Sequence, residues 1–468
     1  LWIKQLYYYE SKNLILIAST IKALIDCLHS QKIKLDIDPN TVNWQRSFNG
    51  TSPENTHIKQ IKQFKNSQIY KIDLSSNKSF FEIKSYFKIH DAFIREAKNN
   101  LEINLYEASE ADVAKGLLLS GGVDSTCLLC NVSKESNLET FIIDNKVIEN
   151  LGFSSEEIEN AKRYSDSMGI NKNIIDKNKI NSEDLKNLFE IIDIPSEVTG
   201  ALALYLICKE IKNKKPNTKV LLSGVGADEI FFGYRGHALS VFISILPELL
   251  NDLTYGLIKK LIKIIPKKFK SLRRRLTVIK EVVKTKKEFK DAALHSFTKL
   301  NKSSLKQWRN AYPLKHADEN KFNTPKLYYE RCFDYFLAQQ HLPSYDRVSM
   351  FFSIELRVPF LQKRIKKENQ ITSYFNLIFK SMIKKRELKK IINKKLNTKY
   401  LSITKSGFGT YPEMFSNNAF EYINELIQYG NKKKWIAEKI NSKSTMELRL
   451  FFHLINKAHY VFLLKNLK

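Results

Sequence analysis

The chain has 468 residues, 43% of them hydrophobic and 27% charged, the balance of a globular protein of two or three domains rather than of a disordered or fibrous one. Its longest apolar runs, Ala201–Cys208 and Ala238–Leu246, fall well short of the roughly 18 residues that cross a bilayer, so no transmembrane segment is expected. The net charge of +28 fits either a polyanionic partner, nucleic acid or an anionic membrane surface, or a drift toward Lys, Ile, Asn, Phe and Tyr, whose codons are AT-rich; drift is the simpler reading.

Residues 1–90 read as β-rich: "QLYYYE" and "NLILIAST" are short apolar runs, and "LDIDPNTVNW" and "NGTSPENT" supply turns. The opening "LWIKQLYYYE" has neither the basic start nor the cleavage site of a signal peptide. A first residue of Leu fits a fragment, a processed chain or a non-AUG start. From 91 the spacing turns helical in "DAFIREAKNNLEINLYEA". There follow a strand "KGLLL", a helix "STCLLCNVSK", a strand "ETFIID" and a helix "SSEEIENAKRYSDSMG" capped by Ser154 or Ser155. Next come a strand "KNIID", helices "NSEDLKNLFEII" and "GALALYLICKEIK", and a strand "KVLLS". Strands alternating with helices predict an α/β fold with a parallel sheet. Beyond 235 the sequence reads as almost wholly helical. Its basic stretch "YGLIKKLIKIIPKKFKSLRRRLTVIKEVVKTKKEF", broken at Pro266, is either a solvated helix pair or a surface for membrane or RNA.

The five cysteines, Cys27, Cys127, Cys130, Cys208 and Cys332, are odd in number and scattered, unlike a disulfide framework. Cys127 and Cys130 have redox spacing but fall on the apolar face of a helix, where packing is the expected role.

The chemistry is concentrated where two strands end. In "LLLSGGVDSTCLLC" a strand runs into Ser120, Gly121 and Gly122, and a helix starts near Ser125. Glycines there let backbone N–H groups approach an anion, and the positive end of the helix faces the same place. Asp124 beside phosphates would be repulsive without a cation between them; Mg²⁺, a hard ion held by one or two carboxylates and phosphate oxygens, meets that need. The loop is neither G-x-x-x-x-G-K-[ST] nor G-x-G-x-x-G. A second strand ends similarly in "VLLSGVGADEIFFGYRGH", with Ser223, Gly224, Asp228 and Glu229. Two such tips on neighbouring strands could bring Asp124 and Asp228 to one Mg²⁺.

Ser-Gly-Gly-x-Asp-Ser resembles the pyrophosphate loop of the ATP-pyrophosphatase superfamily, and the order of motifs resembles glutamine-dependent asparagine synthetases. "ADVAKGLLLSGGVDS" and "SGVGADEIFFGY" are similar to that family's two ATP-site loops. "DRVSMFFSIELRVPFL", from Asp346 to Leu361, is similar to its long signature. "KRELKK", from Lys385, resembles its Lys-x-x-Leu-Arg stretch with Lys389 in the Arg place, and "TKSGFGTYP" its later Lys-x-Gly-Phe segment. The resemblance runs from about 91 to 420. It implies an ATP-pyrophosphatase-type synthetase domain over 91–425, a partial glutaminase-like domain over 1–90 and a helical tail over 426–468.

The activity it implies is ATP-dependent amide formation. A carboxylate attacks the α-phosphate to give an acyl-adenylate and pyrophosphate, and ammonia or an amine then displaces AMP. By position, Ser120, Gly121, Gly122 and Ser125 would hold the ATP phosphates, and Asp124 and Asp228 the Mg²⁺. Ser223 and Gly224 would line the nucleotide or acyl site, and the backbone near Ile142 and Ile143 would meet adenine. Lys385, with Lys384 an adjacent competitor, would be the catalytic cation that stabilises charge on the transferring phosphoryl. The implied partners are a small carboxylate and an amine donor, in a cytoplasmic enzyme that could be a homodimer. A tRNA-modifying relative and a non-catalytic descendant are the alternative readings.

The sequence also departs from the family pattern. Val225 stands where an acid is usual and cannot take a proton, which puts ordinary aspartate chemistry in question; Asp346 or Glu355 could supply a base instead. Gln362 replaces an Asp after Pro-Phe-Leu. Trp2, Gln5 and Thr20 occupy places usually held by Gly, Pro and Glu. Cys27 lies too late, and in a helix-like run, to be the glutaminase nucleophile.

Overall fold

A computed structural model describes residues 4–41, 55–64, 68–72, 81–85, 101–132, 138–144, 156–176, 180–234, 251–266, 276, 331–361, 385–397, 414–436 and 448–467. Ser154, Ser155, Gln362, Lys384 and the segment "TKSGFGTYP" lie outside them, as does most of the basic stretch. The chain forms two compact units. The first comprises Leu1–Gly226, Ala338–Glu368 and Glu387–Lys468, and the second Ala227–Leu337 and Asn369–Arg386.

The first unit opens with an antiparallel sheet in the order β2-β1-β3, from β1 (Tyr7–Glu10), β2 (Ile15–Ala18) and β3 (Ile61–Gln63). Helix α1 (Ile21–Ser30) follows β2, its start capped by Thr20, whose hydroxyl accepts from Ala23 N at 3.4 Å. A separate ribbon pairs β4 (Gln68–Ile72) with β5 (Phe81–Ser85).

The central element is a five-stranded, wholly parallel sheet built from β6 (Lys115–Leu118), β7 (Leu138–Asp144), β8 (Asn171–Asp176), β9 (Val220–Leu222) and β10 (Glu355–Arg357). Its helices are α2 (Leu101–Glu107), α3 (Val123–Val132), α4 (Glu156–Ser167), α5 (Ser182–Ile191) and α6 (Thr199–Lys214). Strands β6 and β9 are apolar and buried along nearly their whole length, as a sheet covered on both faces requires. The predicted strands and helices of this region are all present, so the α/β expectation holds.

The order across the sheet is β10-β9-β6-β7-β8. The chain therefore builds outward from β6 through β7 to β8, then crosses back to lay β9 on the other side of β6. The reversal falls between β6 and β9, and ligands of open α/β sheets bind in the crevice at such a reversal, beyond the carboxyl ends of the strands.

The helical reading beyond 235 needs one correction. Glu355–Arg357 is a strand, held in parallel register with Val220–Leu222 and started by Glu355 N donating to Lys219 O at 2.7 Å. Three residues are too few to display a period, and their state is decided by the neighbouring strand. A π-helical stretch, Arg331–His341, runs into α9 (Leu342–Phe351) just before it.

The apolar core of the first unit is continuous. Tyr7 and Ile61 of the amino-terminal sheet and Leu24 and Leu28 of α1 share it with Leu185 and Phe189 of α5, Leu202 and Ile207 of α6, and Val348 of α9. Two late helices complete it, α11 (Asn417–Lys432) and α12 (Leu448–Lys465). The described side chains of α12 from Leu454 to Leu464 are all buried, the mark of an interior helix. Among the described residues no helix is long and apolar enough to cross a membrane. The second unit contains α7 (Ala227–Ile230) and α8 (Asn251–Ile264). Helix α10 (Arg386–Leu396) follows the end of its second segment.

Candidate active site

The tip of β6 is set by local chemistry. Leu119 N still pairs with Phe141 O at 3.0 Å before the chain turns at Ser120. Gly121 then takes φ +75°, a left-handed conformation that strains any residue with a Cβ. A Cβ on Gly121 would also lie 1.8 Å from Glu157 O and 3.0 Å from Ala161 N, so the bare glycine lets α4 press against the loop. The loop is cross-braced: Ser120 N donates to Ser125 Oγ at 3.2 Å, the two serine hydroxyls meet at 3.0 Å, and Gly122 N donates to Ser120 Oγ at 3.3 Å. Thr126 N donates to Gly122 O at 3.0 Å and opens α3. Hydroxyls and amides are thus gathered at the positive end of a ten-residue helix, an arrangement that suits an anion. Asp124 lies in the first turn of that helix, half-buried.

The tip of β9 meets it. Ser223 N donates to Arg357 O at 2.9 Å, tying the tip to β10, and Ser223 Oγ accepts from Val225 N at 3.4 Å. Gly224 lies directly against α3: a Cβ there would be 3.0 Å from Asp124 Cβ and 3.2 Å from Ser125 N. Ser120, Gly121, Gly122, Asp124, Ser125, Ser223 and Gly224 therefore gather at the two strand tips flanking the reversal. Ile143 is near the carboxyl end of β7, the next strand, and is half-buried beside buried Ile142.

In the second unit, Asp228 stands in the first turn of α7 and forms an ion pair with Lys385, Nζ to Oδ1 at 2.5 Å. The two side chains are only 16% and 9% exposed. Gly233 makes room for them, since a Cβ there would lie 1.9 Å from Asp228 Oδ1 and 2.4 Å from Lys385 Cε. Gly233 N also donates to Asp228 O at 2.8 Å. Lys385 itself has φ +55°, a conformation that persists in a residue with a side chain only where the surroundings enforce it. Beside the pair, Tyr234 donates to Glu229 Oε1 at 2.7 Å. Burial, and then the Glu229 charge, push that phenol well above its ordinary range.

The sequence did not reveal the pairing of Lys385 with Asp228. Its one trace there was Gly233, in a stretch otherwise made of bulky residues.

Cys127 and Cys130 are both buried and unbridged. Burial raises Cys127 well above its usual value and pushes Cys130 up to about 12, so their redox spacing serves packing. Cys27 lies on α1, half-buried. Of the two alternative bases, Glu355 is exposed and pairs with Arg357 at 3.0 Å. Asp346 is half-buried and 3.4 Å from Lys4, and burial raises its carboxyl above the usual range despite that lysine.

A parallel sheet reversing between β6 and β9, with Ser-Gly loops at both tips, defines an α/β protein of the ATP-pyrophosphatase-like fold. The profile of the asparagine synthase family matches residues 100–449, and the chain belongs to that family. It is 29% identical over 246 residues to asparagine synthetase [glutamine-hydrolyzing] 1 of Bacillus subtilis, a match covering 50% of this chain and 36% of that protein. To asparagine synthetase [glutamine-hydrolyzing] 2 of the same bacterium it is 25% identical over 262 residues, covering 50% of this chain and 33% of that protein. A putative asparagine synthetase [glutamine-hydrolyzing] of Mycobacterium tuberculosis is 33% identical over 138 residues, 29% of this chain and 20% of its own length. The matched stretch thus spans about a third or less of each relative.

Proposed function

We propose that the protein is an ATP-dependent ligase that activates a small carboxylate as its acyl-adenylate and passes the acyl group to ammonia or an amine. The observation that carries this reading is the packing of the β9 tip onto the start of α3, with Gly224 against Asp124, at the sheet reversal. Two loops that close can hold one extended anion from both sides. Ser120, Gly121, Gly122 and Ser125 bind the polyphosphate, Ser223 and Gly224 line the nucleotide or acyl site, and the backbone at Ile143 meets the base.

The available donors suit Mg²⁺. Asp124 offers hard carboxylate oxygen at the loop, and Asp228 follows Gly224 closely in sequence. A hard ion of this kind is held by only one or two carboxylates, so Mg²⁺ would draw its remaining oxygens from phosphate and water. When bound, it would neutralise charge building on the phosphate oxygens. Lys385 is the proposed cation at the α-phosphate during carboxylate attack. Val225 brings no group that could deprotonate an ammonium, which favours an amine that arrives neutral.

ATP–pyrophosphate exchange with a panel of carboxylates, aspartate first, is the test. Exchange with one of them is expected, and Asp124→Ala should abolish it, with far-UV circular dichroism unchanged. No exchange with any carboxylate at ample Mg²⁺ would retire the reading.

A further inference from the structure

The ion pair between Lys385 and Asp228 does more than position a catalytic lysine. Asp228 is only 16% exposed and the lysine ammonium is 2.5 Å from its Oδ1, the place a metal ion on that oxygen would need. The contact is enforced: Lys385 holds a left-handed backbone, and Gly233 supplies space that a Cβ would close from both sides. We infer that Lys385 is a built-in substitute for the metal, keeping Asp228 neutralised while no nucleotide is bound and excluding divalent cations from it.

Two like charges do not share one carboxylate oxygen at such range in a half-dry site. A divalent cation would have to displace the ammonium at Oδ1 or bear its repulsion at Oδ2, so it binds Asp228 weakly until the ammonium leaves, and a polyphosphate, which offers several anionic oxygens, is the ligand able to draw it off. A divalent cation would then enter with the nucleotide rather than ahead of it. This inference rests on the ligase reading for the identity of the nucleotide, but not for the exclusion of the metal.

The experiment titrates Mn²⁺ alone into the full-length, nucleotide-free protein and follows loss of the free-ion electron paramagnetic resonance signal. The wild type should bind Mn²⁺ weakly. Lys385→Met should bind it at least tenfold more tightly, and adding Asp228→Asn to that variant should remove the gain. Lys385→Arg, which keeps the charge, should behave as wild type. Should Lys385→Met fail to fold, Lys385→Gln takes its place with the same expectation. Tight Mn²⁺ binding by the wild type that Asp228→Asn removes would overturn the inference, as would no gain on removing the lysine charge. A gain of Mn²⁺ affinity in a protein without ATP–pyrophosphate exchange would retire the ligase reading and leave the metal substitute standing.

Discussion

At Gly121 a single residue decides whether the first loop exists. Its φ of +75° and a would-be Cβ 1.8 Å from Glu157 O are separate obstacles to any side chain. The left-handed backbone alone costs about 1–2 kcal/mol with a Cβ, and the second obstacle forces α4 away from the loop. Gly121→Ala should therefore lower the melting temperature and weaken ATP binding at least tenfold in calorimetric titration; a variant with wild-type affinity would show that the loop does not carry the nucleotide. The equivalent change at Gly169 meets no atom within 4 Å. Although its φ is also positive, at +66°, Gly169→Ala should affect stability only, with ATP affinity unchanged. The pair of glycines in "SGGVDS" was legible in the sequence because a strand, a turn and a helix follow one another within a few residues. The use of Gly121 against Glu157 was not, because the partner lies on another helix.

Among the elements, the amino-terminal sheet is joined to the rest of its unit by a buried charge. Arg347 on α9 pairs with Asp193 at 2.7 Å, both side chains 8% exposed, and donates to the Tyr7 hydroxyl at 3.0 Å. Tyr7 in turn donates to Gln5, and Asp193 accepts from Lys22 N at 2.9 Å. Strand β1, helix α1, the α5–α6 connection and α9 thus share one network, and burial pushes the Tyr7 phenol up to about 12. Removing one partner leaves the other buried and uncompensated, at a cost of about 3–5 kcal/mol. Arg347→Met should lower the denaturant midpoint accordingly, and Arg347→Met with Asp193→Leu should recover part of the loss; additive losses would mean the two do not interact. The Asp-Arg dipeptide stood out in the sequence as part of a signature, with Asp346 weighed as a base. Its arginine holds elements together, a role set by residues far away in the chain. Thr20 and Gln5 also have structural work: Thr20 caps α1, and Gln5 donates to Ala338 O at 3.4 Å.

On the scale of the whole molecule, two buried histidines make stability depend on pH. Burial lowers His57 and His459 to about 4. His459 Nε2 lies 2.7 Å from Ile192 O, a contact that favours the protonated ring but does not offset the burial. Each folded value is below the ordinary value of about 6.5, so the unfolded chain binds more protons between the two and stability falls as the pH drops through that window. By pH 5.5 the loss is on the order of 1 kcal/mol per histidine. The urea midpoint should therefore fall between about pH 7.5 and 5.5, and less steeply in His459→Gln. An unchanged midpoint would mean that these rings are not buried and neutral. The parallel sheet was legible because its inner strands β6, β7 and β9 are largely apolar and the strands from β6 to β9 are separated by helices. Neither β10, only three residues long, nor the common core of α1 and α12 leaves a periodic signal, because both are settled by neighbours distant in sequence.

That common core governs how the protein can be made. Tyr7 and Leu24 pack in one cluster with Leu454 and Leu464, and the whole second unit is encoded in between. A nascent chain therefore exposes the apolar surfaces of β1 and α1 before the late helix that completes their core is synthesised. Chaperone capture of stalled chains released before residue 448, and its loss once α12 has emerged, is the expected signature of that delay.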